Sequence, residues 1–362
     1  MYFGLSEEQS FFKDNIKKYL DDNATLDSIR HITNGDEKNL SREIHNGLLN
    51  LGINSLLIPE KYGGLGLDLL FAAVVSESLG GGIGPVPFIA PYVIAPKAIL
   101  EAGSSEQKEK YLSKIAVNEA LFGVGFSEFI GKRNDAGVSF SNGALNGRSM
   151  FVLDAQTATH ILLADKKGRI FIVEINSNNI EIVNLTTVDK TRQYAEVICK
   201  DLEAEILIGS ENSQEPIIKA IDAGRIMLAA DTLGAAQTMI NKAVDYAKER
   251  KQFGRVIGSF QAVKHMCAEM AADLEPCYAL VWHAAHCHDH SPSEARLMAC
   301  HAKSHTSEMG KGIAKKATEV HGGMGFTDLL GLHYWFKRIG VNRQILGSPE
   351  LVREEAIQSQ LK

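Results

Sequence analysis

Glu249-Arg250-Lys251-Gln252-Phe253-Gly254-Arg255-Val256-Ile257, with Phe260-Gln261-Ala262 just beyond, joins two long helical patterns in a chain of 362 residues. Upstream, Ile217 to Lys251 reads as one long apolar helix beginning after Glu215-Pro216. It is dense in small residues (Ala229, Ala230, Gly234, Ala235, Ala236), which let a neighbouring backbone approach closely. Downstream, Phe260 to His288, Pro292 to Glu319 and Leu351 to Gln360 keep the helical period and complete a bundle. Pro276 has no amide hydrogen to donate, so a kink is expected in the first of these three. The bundle is assigned to residues 211–362.

Toward the N-terminus the period shortens. Between about Leu121 and Ile208 lie short segments, several rich in β-branched residues: Val138-Ser139-Phe140, Ser149 to Leu153, Ala158 to Asp165, Arg169 to Ile175 and Ile180 to Val183. Turn signals separate them at Ser141-Asn142-Gly143, Asn146-Gly147 and Lys167-Gly168. A small antiparallel β domain over residues 119–210 is expected. Residues 1–118 read as helices with turn-rich joints. Ser6 opens one helix, with Glu8 and Gln9 in the first turn and Phe11, Phe12, Ile16 and Leu20 at helical spacing. Ile44, Leu48 and Leu51 mark a second, ending at Gly52, and Ser104 caps a third that runs to Ile115. Pro and Gly in Ile58-Pro59-Glu60-Lys61-Tyr62-Gly63-Gly64-Leu65-Gly66-Leu67 disfavour helix and predict a tight, shaped loop.

Composition removes several function classes. The chain is 45% hydrophobic and 23% charged with a net charge of −6, which is ordinary for a globular enzyme and carries no basic face for nucleic acid. Apolar runs such as Leu69 to Val75 fall far short of the roughly 20 residues that cross a bilayer. Met1 to Asp14 carries Glu7 and Glu8 and lacks the apolar stretch of a secretory signal. Five cysteines without a CxxC pair read as reduced core thiols of a cytoplasmic protein.

Three stretches in this order resemble the acyl-CoA dehydrogenase family of flavoproteins: Ile58 to Asp68, Glu249 to Ile257 with Phe260-Gln261-Ala262, and Glu319-Val320-His321-Gly322-Gly323-Met324-Gly325-Phe326-Thr327. The resemblance covers essentially the whole chain. It implies a mainly α fold with a central β domain: N-terminal helices, a small antiparallel β-barrel and a C-terminal four-helix bundle, with FAD held between subunits. It also implies removal of the α-proton of an acyl-CoA thioester by a carboxylate and transfer of the β-hydrogen to the flavin. In that frame Arg250 offers a planar fork of five donors for pyrophosphate oxygens, and Gln252 and Gln261 offer amide hydrogens. Phe253 supplies an apolar wall, and Gly322 and Gly323 allow close backbone approach. Glu319 and Ser127 complete the expected cofactor-binding set.

The catalytic half departs from the family pattern. In Gly125-Phe126-Ser127-Glu128-Phe129-Ile130-Gly131-Lys132-Arg133-Asn134-Asp135, Ser127 can stand for the family threonine and Glu128 is retained, but the Gly-Ser-Asp element is missing. Met150-Phe151-Val152-Leu153-Asp154 occupies the place of Met-Trp-Ile-Thr-Asn, so Leu153 has no hydroxyl for the flavin. The family's base glutamate is absent from both of its usual places, beside Leu346 in Leu346-Gly347-Ser348 and at Gly224 before Arg225. Asp222 is two residues off, and Glu350 is the fallback, although a helix-start charge explains it as well. Gly347-Ser348-Pro349 and Leu332-His333 resemble the heteromeric, sterol side-chain subgroup, which implies a paralogous partner subunit. A complete homo-oligomeric enzyme with a relocated base and a catalytically silent paralogue are the alternatives.

No metal is expected. His301 and His305, and likewise His283 and Cys287, are spaced i, i+4, but the two Glu-x-x-His motifs of di-metal bundles are missing. Gly80-Gly81-Gly82-Ile83-Gly84 lacks the Lys-Ser or Lys-Thr of a phosphate loop and reads as a hinge before Pro85 and Pro87. No Gly-x-Ser-x-Gly elbow is present.

Overall fold

The computed structural model describes residues 4–36, 39–131, 137–176 and 178–361. The Lys132 to Asp135 stretch, where the Gly-Ser-Asp element is missing, lies outside the described residues. The chain opens with α1 (Glu7–Asn23), α2 (Leu26–Asn34), α3 (Leu40–Leu49), α4 (Leu69–Gly81), α5 (Ala95–Ala102) and α6 (Ser105–Ala116). Ser6 and Ser104 cap α1 and α6 in capping boxes closed by Gln9 and Gln107, so two helix starts were legible from residue type alone. Gly63 and Gly66 take φ of +83° and +61° in the expected tight loop, where any side chain on Gly64 would sit 2.0 Å from the Ile58 carbonyl oxygen.

The central sheet holds β1 (Phe122–Gly125), β2 (Gly137–Ser141), β3 (Ala144–Leu153), β4 (His160–Ala164), β5 (Ile170–Glu174), β6 (Ile180–Leu185), β7 (Tyr194–Glu203) and β8 (Glu205–Ile206), with the short α7 (Ser127–Gly131) after β1. The order is β6-β7-β3-β1-β4-β5-β8, with β2 on β3. All ladders are antiparallel as expected except β1–β4, which is parallel from Phe122↔His160 to Gly125↔Leu163. The long connection through α7, β2 and β3 returns the chain in the same direction, which a tight hairpin cannot do. Asn142 and Gly143 form the predicted turn, both at positive φ. Asn146-Gly147 does not turn: it lies inside β3, at a bulge opposite β7. Glycine is needed there because a methyl on Gly147, at φ +117°, would sit 2.3 Å from the Gly137 carbonyl oxygen.

The remainder is helical: α8 (Glu215–Glu249), a hairpin of β9 (Lys251–Gln252) and β10 (Arg255–Val256), α9 (Gln261–His290), α10 (Pro292–His321), α11 (Leu332–Gln344) and α12 (Pro349–Gln360). Helix α9 continues through Pro276. The small residues of α8 do what their size suggested: a methyl on Gly234 would lie 1.8 Å from the Glu77 carbonyl oxygen of α4. The reciprocal approach is as close, since a methyl on Gly80 would lie 1.9 Å from the Asp231 carbonyl oxygen. The Gly80 to Gly84 run is therefore a packing surface, not merely a joint. No helix among the described residues is long and apolar enough to cross a membrane.

Three layers are tied at one buried carboxylate. Asp231 of α8 accepts from Arg192 Nη2 at 2.5 Å, Arg338 Nη2 at 2.7 Å and Asn342 Nδ2 at 2.6 Å. Arg338 of α11 also donates to the Gly84 carbonyl at 3.0 Å. The two guanidinium groups hold the Asp231 carboxyl below its usual range despite complete burial. Backbone-to-backbone contact between α4 and α8 leaves no room for relief, so Gly234→Ala should destabilise the protein by about 3 kcal/mol, seen as a lower urea midpoint. An unchanged midpoint would show that the two helices separate freely.

Candidate functional site

The outward half of the site gathers where α8 and α10 end side by side. The Tyr246 and His321 rings pack with centroids 4.6 Å apart, and His321 Nδ1 donates to the Ala317 carbonyl at 2.7 Å. Arg250 follows α8, Gln252 stands on the hairpin, and Phe253 occupies its tip at φ +51°. Ile257 N donates to the Arg250 carbonyl at 2.7 Å, so the hairpin folds back on the helix end. Arg250, Gln252, Gln261, Glu319, Gly322 and Gly323 are all exposed, and Phe253 is 91% exposed. Gly322 has φ +59° and ψ −141°, a conformation essentially restricted to glycine. A methyl on Gly323 would meet nothing within 4 Å, so no packing within the chain demands glycine there. The hairpin tip and the Gly322-Gly323 turn thus present fixed donors, an aromatic ring and bare backbone to the outside.

The inward half is built differently. Ser127 begins α7 and is partly exposed, while the Glu128 carboxylate is buried and accepts from Ser149 Oγ at 2.8 Å and Met150 N at 2.5 Å. Glu128 is therefore engaged in joining α7 to β3. Leu153 is buried and Phe151, at φ +54°, is exposed. At the two places where the resemblance implies a glutamate the chain packs hydrocarbon: a Cβ on Gly224 would lie 2.6 Å from Leu346 Cδ1 and 2.7 Å from Ile94 Cδ1. Leu346 itself takes φ +58°, held by Arg225 Nε donating to its carbonyl at 2.8 Å. Phe151, Asp154 and Leu346 are three of the eight non-glycine residues with positive φ among those described.

Glu350 lies exposed in the first turn of α12, paired with Arg343 at 2.7 Å. The helix-start amides and Ser348 hold its carboxyl down at about 2, so it has little affinity for a proton near neutrality. Asp222 is buried against Arg296 and Arg225; burial pushes its carboxyl up to about 6 while both guanidinium groups oppose the shift. Its oxygen accepts from Arg296 Nη1, which directs it to α10.

Sequence reasoning missed two contributors. Ile94 carries no motif, and only its packing shows that it fills the space beside Gly224. Asp154 was quoted as a strand end, yet it sits at φ +57° beside a cleft of about 270 Å³ lined also by Val86, Pro87 and Arg192. Burial pushes its carboxyl up to about 7, against the pull of Arg192 and Arg338. A raised carboxyl favours folding fully below about pH 4, and that contribution is lost as pH rises through 7.

Two outcomes are expected. Asp154→Asn should match the parent in stability below about pH 4 and exceed it by about 2 kcal/mol above pH 7, about half the full-burial figure because the side chain is partly exposed. Parallel pH profiles of the two proteins would contradict this. Gly224→Glu should lower stability by about 3 kcal/mol and yield no turnover, because the new side chain meets Leu346 and Ile94. A well-folded, active variant would show that the chamber opens.

Comparison with known proteins agrees with this architecture. Residues 6–119 match the acyl-CoA dehydrogenase N-terminal domain, and residues 215–361 match the acyl-CoA dehydrogenase C-terminal domain. The chain is 28% identical to the caffeyl-CoA reductase-Etf complex subunit CarC of Acetobacterium woodii, over 90% of each chain. It is also 28% identical to the acyl-CoA dehydrogenase IpdE2 of Mycolicibacterium smegmatis, over 97% of this chain and 99% of that one. Among solved structures, the ChsE4-ChsE5 complex from Mycobacterium tuberculosis matches with a TM-score of 0.89 at 21% identity, covering 100% of this chain and 99% of that chain, which supports the fold. With both terminal domains matched and the helix–sheet–helix order present, the chain belongs to the acyl-CoA dehydrogenase family.

Proposed function

We propose that this chain is a subunit of an FAD-dependent acyl-CoA dehydrogenase, lending its outward cluster to the flavin site of a paralogous partner while carrying no base of its own. The observation that carries the reading is a contrast within one molecule. Donors, aromatic ring and bare glycines face outward at the α8 and α10 ends, while the chamber between Gly224 and Leu346 is filled with hydrocarbon. When bound, FAD would supply the redox chemistry of α,β-dehydrogenation of an acyl-CoA thioester.

The chain's own residues fit the nucleotide end of that cofactor better than its ring. Arg250 presents a planar fork to pyrophosphate oxygens, Gln252 and Gln261 add amide donors, and Phe253 offers a flat apolar face. Glu319 stands on the last turn of α10, next to the open backbone of Gly322 and Gly323. On the ring side, Leu153 has no hydrogen-bonding group and the Glu128 carboxylate is already satisfied, which leaves Ser127 as the remaining hydroxyl. Abstraction of an α-proton needs a carboxylate within reach, and Asp222 and Glu350 are both committed to arginines. This disfavours a complete homo-oligomeric enzyme whose base is relocated to either of them, and a silent scaffold leaves the outward donors without a role.

Other features favour assembly with a second chain. Phe253, Phe326 and Leu329 are 91%, 81% and 69% exposed, a large apolar surface to leave in water around one end of a bundle. Heteromeric complexes also occur among the solved relatives, including the ChsE4-ChsE5 pair.

The test is to purify the chain alone and together with a paralogue that retains a base glutamate, then record flavin absorbance and native mass. The expected result is a flavin-poor single chain and a yellow, active hetero-oligomer. Within that complex, Arg250→Ala should weaken flavin retention about 10- to 100-fold on dialysis, the loss of a charge-assisted bond. A strongly yellow, active homotetramer of this chain alone would overturn the proposal.

A further inference from the structure

The histidine-rich end of α9 holds a geometry that the flavin reading does not use. His283 and Cys287 stand one turn apart on α9, and the turn at Ser291 brings Glu294 of α10 over them. One ligand atom from each lies within 4.8 Å of the other two. The separations are 3.4 Å for Cys287 Sγ to His283 Nε2, 3.9 Å for Cys287 Sγ to Glu294 Oε2, and 3.9 Å for His283 Nε2 to Glu294 Oε2. A zinc-type ion takes bonds of about 2.3 Å to sulfur and about 2.0–2.1 Å to nitrogen and oxygen. In a tetrahedral frame those lengths place sulfur–nitrogen and sulfur–oxygen edges at about 3.6 Å and the nitrogen–oxygen edge at about 3.4 Å. The observed triangle is within about half an ångström of that figure on every side. The two longer edges both end on the Glu294 carboxylate, on an exposed side chain.

We propose that His283, Cys287 and Glu294 form a three-ligand site for a divalent transition-metal ion of the zinc type. The ligand set suits such an ion: a thiolate and an imidazole of intermediate softness, with one carboxylate. The charges also match, because thiolate and carboxylate together neutralise a dication. Binding replaces the thiol proton of Cys287 with the metal and releases that proton to solvent. Cys287 lies buried beneath the other two, while His283 and Glu294 are exposed, which leaves the fourth tetrahedral position open to water. Such an ion would staple the end of α9 to the start of α10. The same end of α9 is anchored to the N-terminal helices, since Asp289 accepts from Leu69 N at 2.6 Å and pairs with Lys97 at 2.6 Å. The i, i+4 spacing of His283 and Cys287 was legible in the sequence. The third ligand was not, because it comes from the next helix.

The test uses the full-length protein, stripped with a chelator and titrated with Zn²⁺ and, for spectroscopy, Co²⁺. One equivalent should bind, with a sulfur-to-cobalt charge-transfer band and the visible absorption of tetrahedral cobalt. Cys287→Ser should abolish the charge-transfer band. His283→Gln and Glu294→Gln change partly solvated side chains and should each weaken binding by more than about tenfold, the loss that even an outer-shell partner produces. His301→Gln, at the other paired spacing, should leave binding unchanged. Absence of a stoichiometric cobalt spectrum in the parent, or an unaltered spectrum in His283→Gln and Glu294→Gln, would overturn the site.

Discussion

One buried carboxylate governs how the layers of this protein meet. Asp231 sits on α8 with no access to water and is satisfied by Arg192 from the loop before β7, and by Arg338 and Asn342 from α11. Arg338 reaches on to the Gly84 carbonyl and the Thr191 hydroxyl. Bundle, sheet and N-terminal helices are thus bonded through one cluster. Such a cluster adds little net stability over hydrocarbon, since desolvation offsets most of the attraction, but removing one partner costs about 3–5 kcal/mol. Its consequence is orientation. The glycine contacts between α4 and α8 fix a distance, and the Asp231 cluster fixes which faces turn toward the sheet.

That frame places the two halves of the site independently. The outward half hangs on the ends of α8 and α10, positioned by the Tyr246–His321 contact and the hairpin between Arg250 and Ile257. The inward half depends on how Ile94, Gly224 and Leu346 fill the space beneath the sheet. Gly224 and the Arg250 end lie at opposite parts of the long α8 (Glu215–Glu249), so the outward half can stay intact while the inward half is rebuilt. Filling the chamber with Leu346 and Ile94 gains apolar burial, whereas a carboxylate there would need a partner or a raised pKa. Arg225 is close at hand: its Nε serves the Leu346 carbonyl and its Nη1 serves Glu355, while the buried Nη2 has no hydrogen-bond partner.

Much of this was readable from residue types with local consequences. The serines capping α1 and α6, the extent of α8, the small residues at its crossing with α4 and the turn at Asn142-Gly143 all follow from short-range rules. What escaped depends on partners far along the chain. The parallel β1–β4 ladder is invisible to period-two patterning, which reports a strand but not its direction. Gly147 has the composition of a turn, yet it bulges because the Gly137 carbonyl crosses it. Helix α11 gives a weak signal because Arg338 and Asn342 interrupt the apolar buried face formed by Leu332, Trp335 and Ile339. Likewise the absence of glutamate at Gly224 was plain in the sequence, but only the structure shows that Leu346 and Ile94 occupy its room.

The division between the halves bears on what an incomplete subunit can contribute. A nucleotide tail crossing between two chains is recognised by groups that must project from the surface, and those groups contribute little to the stability of the chain that carries them. Arg250, Gln252 and Phe253 fit that description, since none is buried and Phe253 meets its own fold in an edge-on approach to Phe260 at 6.1 Å. The φ of +51° at Phe253, followed by +77° at Gly254, is the pair of positive values that closes a two-residue turn between the paired Gln252 and Arg255. The inward residues behave oppositely: Leu346 also holds a positive φ, but it is buried and its carbonyl accepts from Arg225. Exposure at the helix ends and burial around Leu346 separate the two sets of residues, and the proposed subunit role rests on that asymmetry.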